Sequence, residues 1–156
     1  MELQYVSGNH QTGVAGTALT GSVVETTLDT ITIPAGRMLA NGRLNIWFAG
    51  THSGVAGTKT WRLKLGGTTL ATVVMATTSG SVFDIIGSIW NVGSQASQRA
   101  RIITNRNTDG LLTSVAEATA AIDTSASTTL TLTGQLSVGT DTMQRTGLYV
   151  DVTPLG

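Results

Sequence analysis

From Thr60 to Leu65 the chain reads Thr-Trp-Arg-Leu-Lys-Leu, apolar and polar residues in strict alternation, and this period of two recurs along its length. In a β-strand successive side chains point to opposite faces, so alternation marks a strand with one face buried and one wet. Leu44, Ile46 and Phe48 share one face of the run from Arg43 to Phe48, and Trp61, Leu63 and Leu65 share one face of the next. Thr129 to Thr133 continues the pattern to Leu136 and Val138, and Leu148, Val150 and Val152 alternate with Tyr149 and Asp151. Further strands are expected over Val23 to Ile33, Thr68 to Met75, Val82 to Val92 and Arg99 to Thr104. With 28 Thr in 156 residues, the polar positions carry stiff β-branched side chains that suit a pleated surface.

Turn signals separate these runs: Pro34-Ala35-Gly36, Asn41-Gly42, Gly66-Gly67, Ser79-Gly80 and Asp109-Gly110. Asn41-Gly42 and Gly66-Gly67 suit tight hairpins, whose central residues take positive φ. Eight or nine evenly spaced strands predict an all-β, antiparallel β-sandwich, jelly-roll-like rather than immunoglobulin-like. The Ala-rich segment from Leu111 to Ile122 reads either as a short helix or as a loop. Residues 1–20 lack any period and are glycine-rich, so they read as an extended N-terminal arm ahead of a sandwich domain over 21–156. That arm, with Tyr5 and His10, is either flexible or ordered on a neighbouring subunit.

Composition removes whole classes of chemistry. Without cysteine there is no disulfide framework, thiol nucleophile or thiolate metal site. Nine basic side chains balance nine acidic ones, which argues against a nucleic-acid binder held by phosphate contacts. Only 12% of residues are charged, against roughly a quarter in an ordinary soluble domain. The N-terminus has no basic region followed by an apolar run, and no stretch approaches the about 20 apolar residues of a spanning helix. The expectation is therefore no membrane and no nucleic-acid partner.

Several motifs approach a known chemistry and fall short. Asn105 to Gly110 imitates the start of a calcium loop, but the twelfth position is Ala116, where a bidentate carboxylate is needed. Gly54 to Thr60 resembles a phosphate loop, yet Thr58 separates Gly57 from Lys59 and a strand follows. His10 and His52 have no G-x-S-x-G elbow and no metal-ligand spacing, so they are expected at the surface or in an interface. Glu25 and Asp29 sit four apart and would share a solvated strand face. Glycoside hydrolysis needs facing carboxylates and an aromatic groove, and three Trp, two Tyr and two Phe are few for that. No catalytic residue, cofactor or metal is assigned, and the expected class is non-enzymatic.

What remains are contact residues. Arg99, Arg101 and Arg106 cluster, with Arg99 and Arg101 on one strand face, and Arg's fixed donor fork suits salt bridges to a neighbouring chain. Trp47 falls out of register with Leu44, Ile46 and Phe48 and so points outward. Such a Trp either makes a subunit contact or is covered by its own chain.

The run from Thr20 to Pro154 resembles a group of small β-sandwich virion proteins of tailed bacteriophages. The resemblance lies in Thr30-Ile31-Thr32-Ile33-Pro34-Ala35-Gly36, Asn41-Gly42 leading to Trp47, and Lys59-Thr60-Trp61-Arg62-Leu63-Lys64-Leu65-Gly66-Gly67. It continues through Asn91-Val92-Gly93-Ser94-Gln95-Ala96-Ser97-Gln98 and Thr128 to Leu136. It implies a homotrimeric jelly-roll protein, made in a host cytoplasm and fixed to the virion as capsid decoration or cement. The partners implied are copies of itself and the major capsid protein or another virion protein. The alternative is a tail-fibre or baseplate domain that touches host glycans.

Overall fold

The computed structural model describes residues 15–75, 81–106 and 114–154. Nine strands are present among them: β1 (Thr26–Ile33), β2 (Arg43–Ser53), β3 (Lys59–Leu65), β4 (Thr68–Met75), β5 (Ser81–Asn91), β6 (Gln98–Arg106), β7 (Ser114–Ala120), β8 (Thr128–Leu136) and β9 (Thr142–Thr153). They form two antiparallel sheets, ordered β1-β8-β3-β4 and β7-β6-β5-β2-β9, which is the expected β-sandwich. The alternating residues read from sequence are the ones buried between the sheets: Trp61, Leu63 and Leu65 from one side, Leu44, Ile46 and Phe48 from the other. Phe48, Trp61 and Phe83 meet across the gap with ring centroids 4.8–5.7 Å apart. Edge-to-face and tilted rings of this kind add to the area they bury.

Four expectations are corrected. Of the segment from Leu111 to Ile122, residues 111–113 lie outside the described residues, and Ser114–Ala120 is neither helix nor loop but strand β7, paired along β6 from Gln98↔Ala120 to Thr104↔Ser114. Its alanines at 116, 118 and 120 pack inward against the core, so helix propensity yields to a waiting sheet edge. Asn41-Gly42 is not a hairpin, because β1 and β2 lie in different sheets, whereas Gly66-Gly67 does join β3 to β4 with both φ values positive. Glu25 and Asp29 do not share a face. A bulge between Thr27 and Asp29 shifts the register and turns Asp29 inward, where its carboxylate meets Arg145 Nε at 2.7 Å. Lastly, His52 is buried on the inner face of β2, 3% exposed and beside Phe83.

Of the predicted arm, residues 1–14, including Tyr5 and His10, lie outside the described residues. The stretch that follows runs along the edge of β9: Gly16 N donates to Arg145 O at 2.8 Å, and Leu19 and Met143 exchange bonds of 2.8 and 3.1 Å. Leu19 is buried there.

Candidate functional site: the outer face of the five-stranded sheet

Strand alternation gives each sheet an outer face, and the two differ. On the four-stranded sheet the outward positions include Thr30, Thr131, Lys64 and Thr69 in one row across the strands, and Thr27, Thr133, Arg62 and Thr72 in another. Its charges are already paired. Glu25 receives Lys64, Arg62 at 3.2 Å and the Thr133 hydroxyl at 2.7 Å. Those bonds, Lys64 first and Thr133 next, hold its carboxyl below the usual range.

On the five-stranded sheet the register sets three rows side by side. Ile103, Ile86, Trp47 and Tyr149 are consecutive partners from β6 to β9, and Val115 on β7 is the register partner of Ile103. Ile86 is 43% exposed and Tyr149 38%, so an apolar row crosses the sheet at right angles to its strands in contact with solvent. The next row runs Glu117, Arg101, Ser88, Asn45, Asp151, and the one beyond it Thr119, Arg99, Trp90, Arg43, Thr153. Arg43 donates to the Ser88 hydroxyl at 2.7 Å, and that hydroxyl donates to Asn45 Oδ1 at 3.2 Å. Arg99 and Arg101 are exposed and pair with no carboxylate among the described residues. A hollow of about 340 Å³ opens between Trp90, Arg99, Glu117 and Thr119.

Three of the four described contact residues expected from sequence therefore meet on one surface: Trp47, Arg99 and Arg101. Arg106 closes β6 opposite Phe83 in register. Trp47 is covered in part by its own chain. It is half-buried because its ring lies over Gly147 of β9, where an added Cβ would come within 2.9 Å of the indole. Its remaining surface stays in the apolar row. Sequence reasoning missed Ile86, Ile103 and Trp90, since nothing in a single strand tells which outward residues line up across a sheet.

Two buried polar clusters hold the ends of the sandwich. At one end Lys59, fully buried, pairs with Asp141 at 2.8 Å and donates to the carbonyls of Gly54 and Gly57. Asp141 also accepts from the backbone N–H groups of Gly57 at 2.8 Å and Ala56 at 3.3 Å. Lys59 above all, and the Gly57 amide after it, hold the Asp141 carboxyl below its ordinary value. Gly54 has φ +91°, and a Cβ there would run into the Asp141 carboxylate, so the loop closes around the pair only with glycine. The failed phosphate loop is thus a cage for a lysine. At the other end Asn91 donates to the carbonyls of Met38 and Leu39 and to the Thr124 hydroxyl, at 2.8–2.9 Å. Gln98 Nε2 donates to Asn91 Oδ1, Gln95 O and Ile122 O, and its Oε1 accepts from Ile122 N. Among the described residues no group of three or more His, Cys, Asp or Glu could hold a metal.

No protein-family profile matches the sequence, and no curated protein matches it. Among solved structures, similar chains include lectin II from Ulex europaeus, 12% identical over 97% of this chain and 96% of that one, with a TM-score of 0.44. Peanut lectin with a 9mer peptide is 8% identical over 96% and 91%, TM-score 0.46. The Lotus tetragonolobus seed lectin is 8% identical over 97% and 98%, TM-score 0.45. Likenesses at these values carry no argument about what this chain binds.

Proposed function

We propose that this chain is a non-enzymatic structural protein of a bacteriophage virion, a decoration or cement protein that binds the outside of the capsid and stabilises it. The observation that supports this reading is the outer face of the five-stranded sheet, where an apolar row and two exposed arginines stand beside an opposite face of threonine and closed ion pairs. Contiguous exposed apolar surface on a charge-poor protein fits a protein neighbour. Aromatic residues and arginine are the types enriched in such contacts. The bacteriophage resemblance points to the same class. Repeated over a symmetric shell, individually weak contacts add up through multivalency.

The test is binding to purified capsids lacking the protein, with the labelled chain located on intact virions. Saturable binding that raises the temperature of capsid rupture supports the proposal. Absence from the virion and no binding at micromolar concentration refute it. A second reading, glycan binding by a fibre or baseplate domain, is favoured by the Trp90 hollow, which this tryptophan lines together with Arg99 and Glu117. A glycan array with no hits removes it, and loss of an array hit in Trp90→Ala supports it.

A further inference from the structure

We infer that the outer face of the five-stranded sheet packs against the same face of a second copy, about a two-fold axis lying along the row Ile103, Ile86, Trp47, Tyr149. The inference rests on the assembly reading above, and it puts a two-fold contact where the bacteriophage resemblance implies a homotrimer. Size is the first argument. The five strands hold 7, 9, 11, 11 and 12 residues, and at about 3.3 Å per residue and about 4.8 Å between strands they give a face of about 800 Å². That is about what each partner contributes to a stable interface of standard size.

Apolar complementarity is the second. A closed three-fold contact is heterologous, so the row would have to meet a different patch. Among the described residues the other sheet face is threonine with Glu25, Arg62 and Lys64 ion-paired. The remaining exposed large hydrophobics among the described residues are Val23 and Val24 before β1, Leu39, Val55, Val92, Val74 on edge strand β4, and Val82, which lies on β5 four residues from Ile86 and extends the apolar surface of the same face. The matching surface for the row is the row itself, which requires an isologous contact.

Charge selects the axis. A two-fold along the strand direction through β5 would set β2 over β6 and β9 over β7. Arg43 would then oppose Arg99, and Asp151 would oppose Glu117, like charge on like. An axis along the apolar row instead carries Asp84, which lies beyond the row from Ser88, over the partner's Ser88 and next to Arg101. Two Arg101–Asp84 pairs form between copies. Within one chain the two cannot meet, because Ser88, beside Arg101, is four residues from Asp84, about 13 Å along a strand.

The experiment is sedimentation or light scattering of the full chain at micromolar concentration. Wild type is expected to be a dimer, or a larger particle of even copy number that retains this contact. Ile86→Glu, at a solvent-exposed position, places two carboxylates on the axis and should weaken dimerisation by about a hundredfold or more while circular dichroism and Tm are kept. Arg101→Glu and Asp84→Arg should each weaken association, and the double variant should restore it, because each swapped charge meets the other copy's. A wild-type monomer, a trimer or other particle of odd copy number, a dimer indifferent to Ile86→Glu, or a double variant no better than the singles overturns the inference. Capsid binding by the Ile86→Glu variant separates the two readings: if monomers still bind capsids, the assembly function stands whatever becomes of the two-fold contact.

Discussion

Replacing Lys59 by methionine tests the tightest electrostatic arrangement in the molecule. Methionine fills a similar volume but donates nothing. Asp141 would lose its 2.8 Å ion pair, and Gly54 O and Gly57 O would lose their donor, with lysine and aspartate both about fully buried. Removing one partner of a buried pair costs about 3 to 5 kcal/mol, since the other charge stays buried without compensation. For a domain of this size that corresponds to a fall in Tm of roughly 6 to 20 °C. Urea unfolding followed by tryptophan fluorescence reads it, because Trp61 lies wholly in the core. Asp141→Asn and the double variant complete the cycle, and a coupling of about 1 kcal/mol or more is expected. The pH dependence carries a sign. The Asp141 carboxyl is held below its ordinary 3.8 by Lys59, so the stabilisation is present above that value and is lost as pH falls through the lower folded value. In Lys59→Met that carboxyl has no cation and takes up a proton more readily, so the deficit against wild type should narrow in acid. A variant within about 1 kcal/mol of wild type, or single effects that add within about 0.5 kcal/mol, would refute the cage as a coupled unit.

Three smaller perturbations follow from the same geometry. Gln98→Leu removes the partner of Ile122 N–H, Ile122 O and Asn91 Oδ1 at the far end of the sandwich, while Gln95 O keeps the Thr124 amide and hydroxyl. A loss of about 1 to 3 kcal/mol or more is expected in chemical denaturation. Gly147→Val puts a side chain where the Trp47 indole lies, so the emission of that tryptophan should shift to the red with a modest loss of stability. Glu25→Gln breaks ion pairs that are part-exposed, so it should cost under about 1 kcal/mol, and less in high salt.

Much of the fold was legible because burial and strand period are local properties. The alternation around Trp61, Leu63 and Leu65 gives both the strand and its buried face, and Gly66-Gly67 gives the hairpin that follows. The same parity placed Lys59 and His52 on inward positions, a signal that could have revealed both as buried. Residue type misled there, because a lysine reads as exposed until a partner is known, and Asp141 lies 82 residues away in sequence. The β1 bulge that separates Glu25 from Asp29 leaves no mark in composition. β7 was unreadable for another reason: an alanine-rich run is a strand here only because the edge of β6 supplies its hydrogen bonds and its core.

What the sequence determined by itself was the class of fold, the outward direction of Trp47, Arg99 and Arg101, and the shortage of charge. Each follows from the period of two and from residue chemistry within a strand. Tertiary structure alone decided that Trp47 stands in line with Ile86, Ile103 and Tyr149, and that a lysine and an aspartate close one end of the sandwich. Rows across a sheet depend on the register between strands distant in sequence, which hydrogen bonding fixes only when the sheet forms. A surface made of such rows comes into being with the fold.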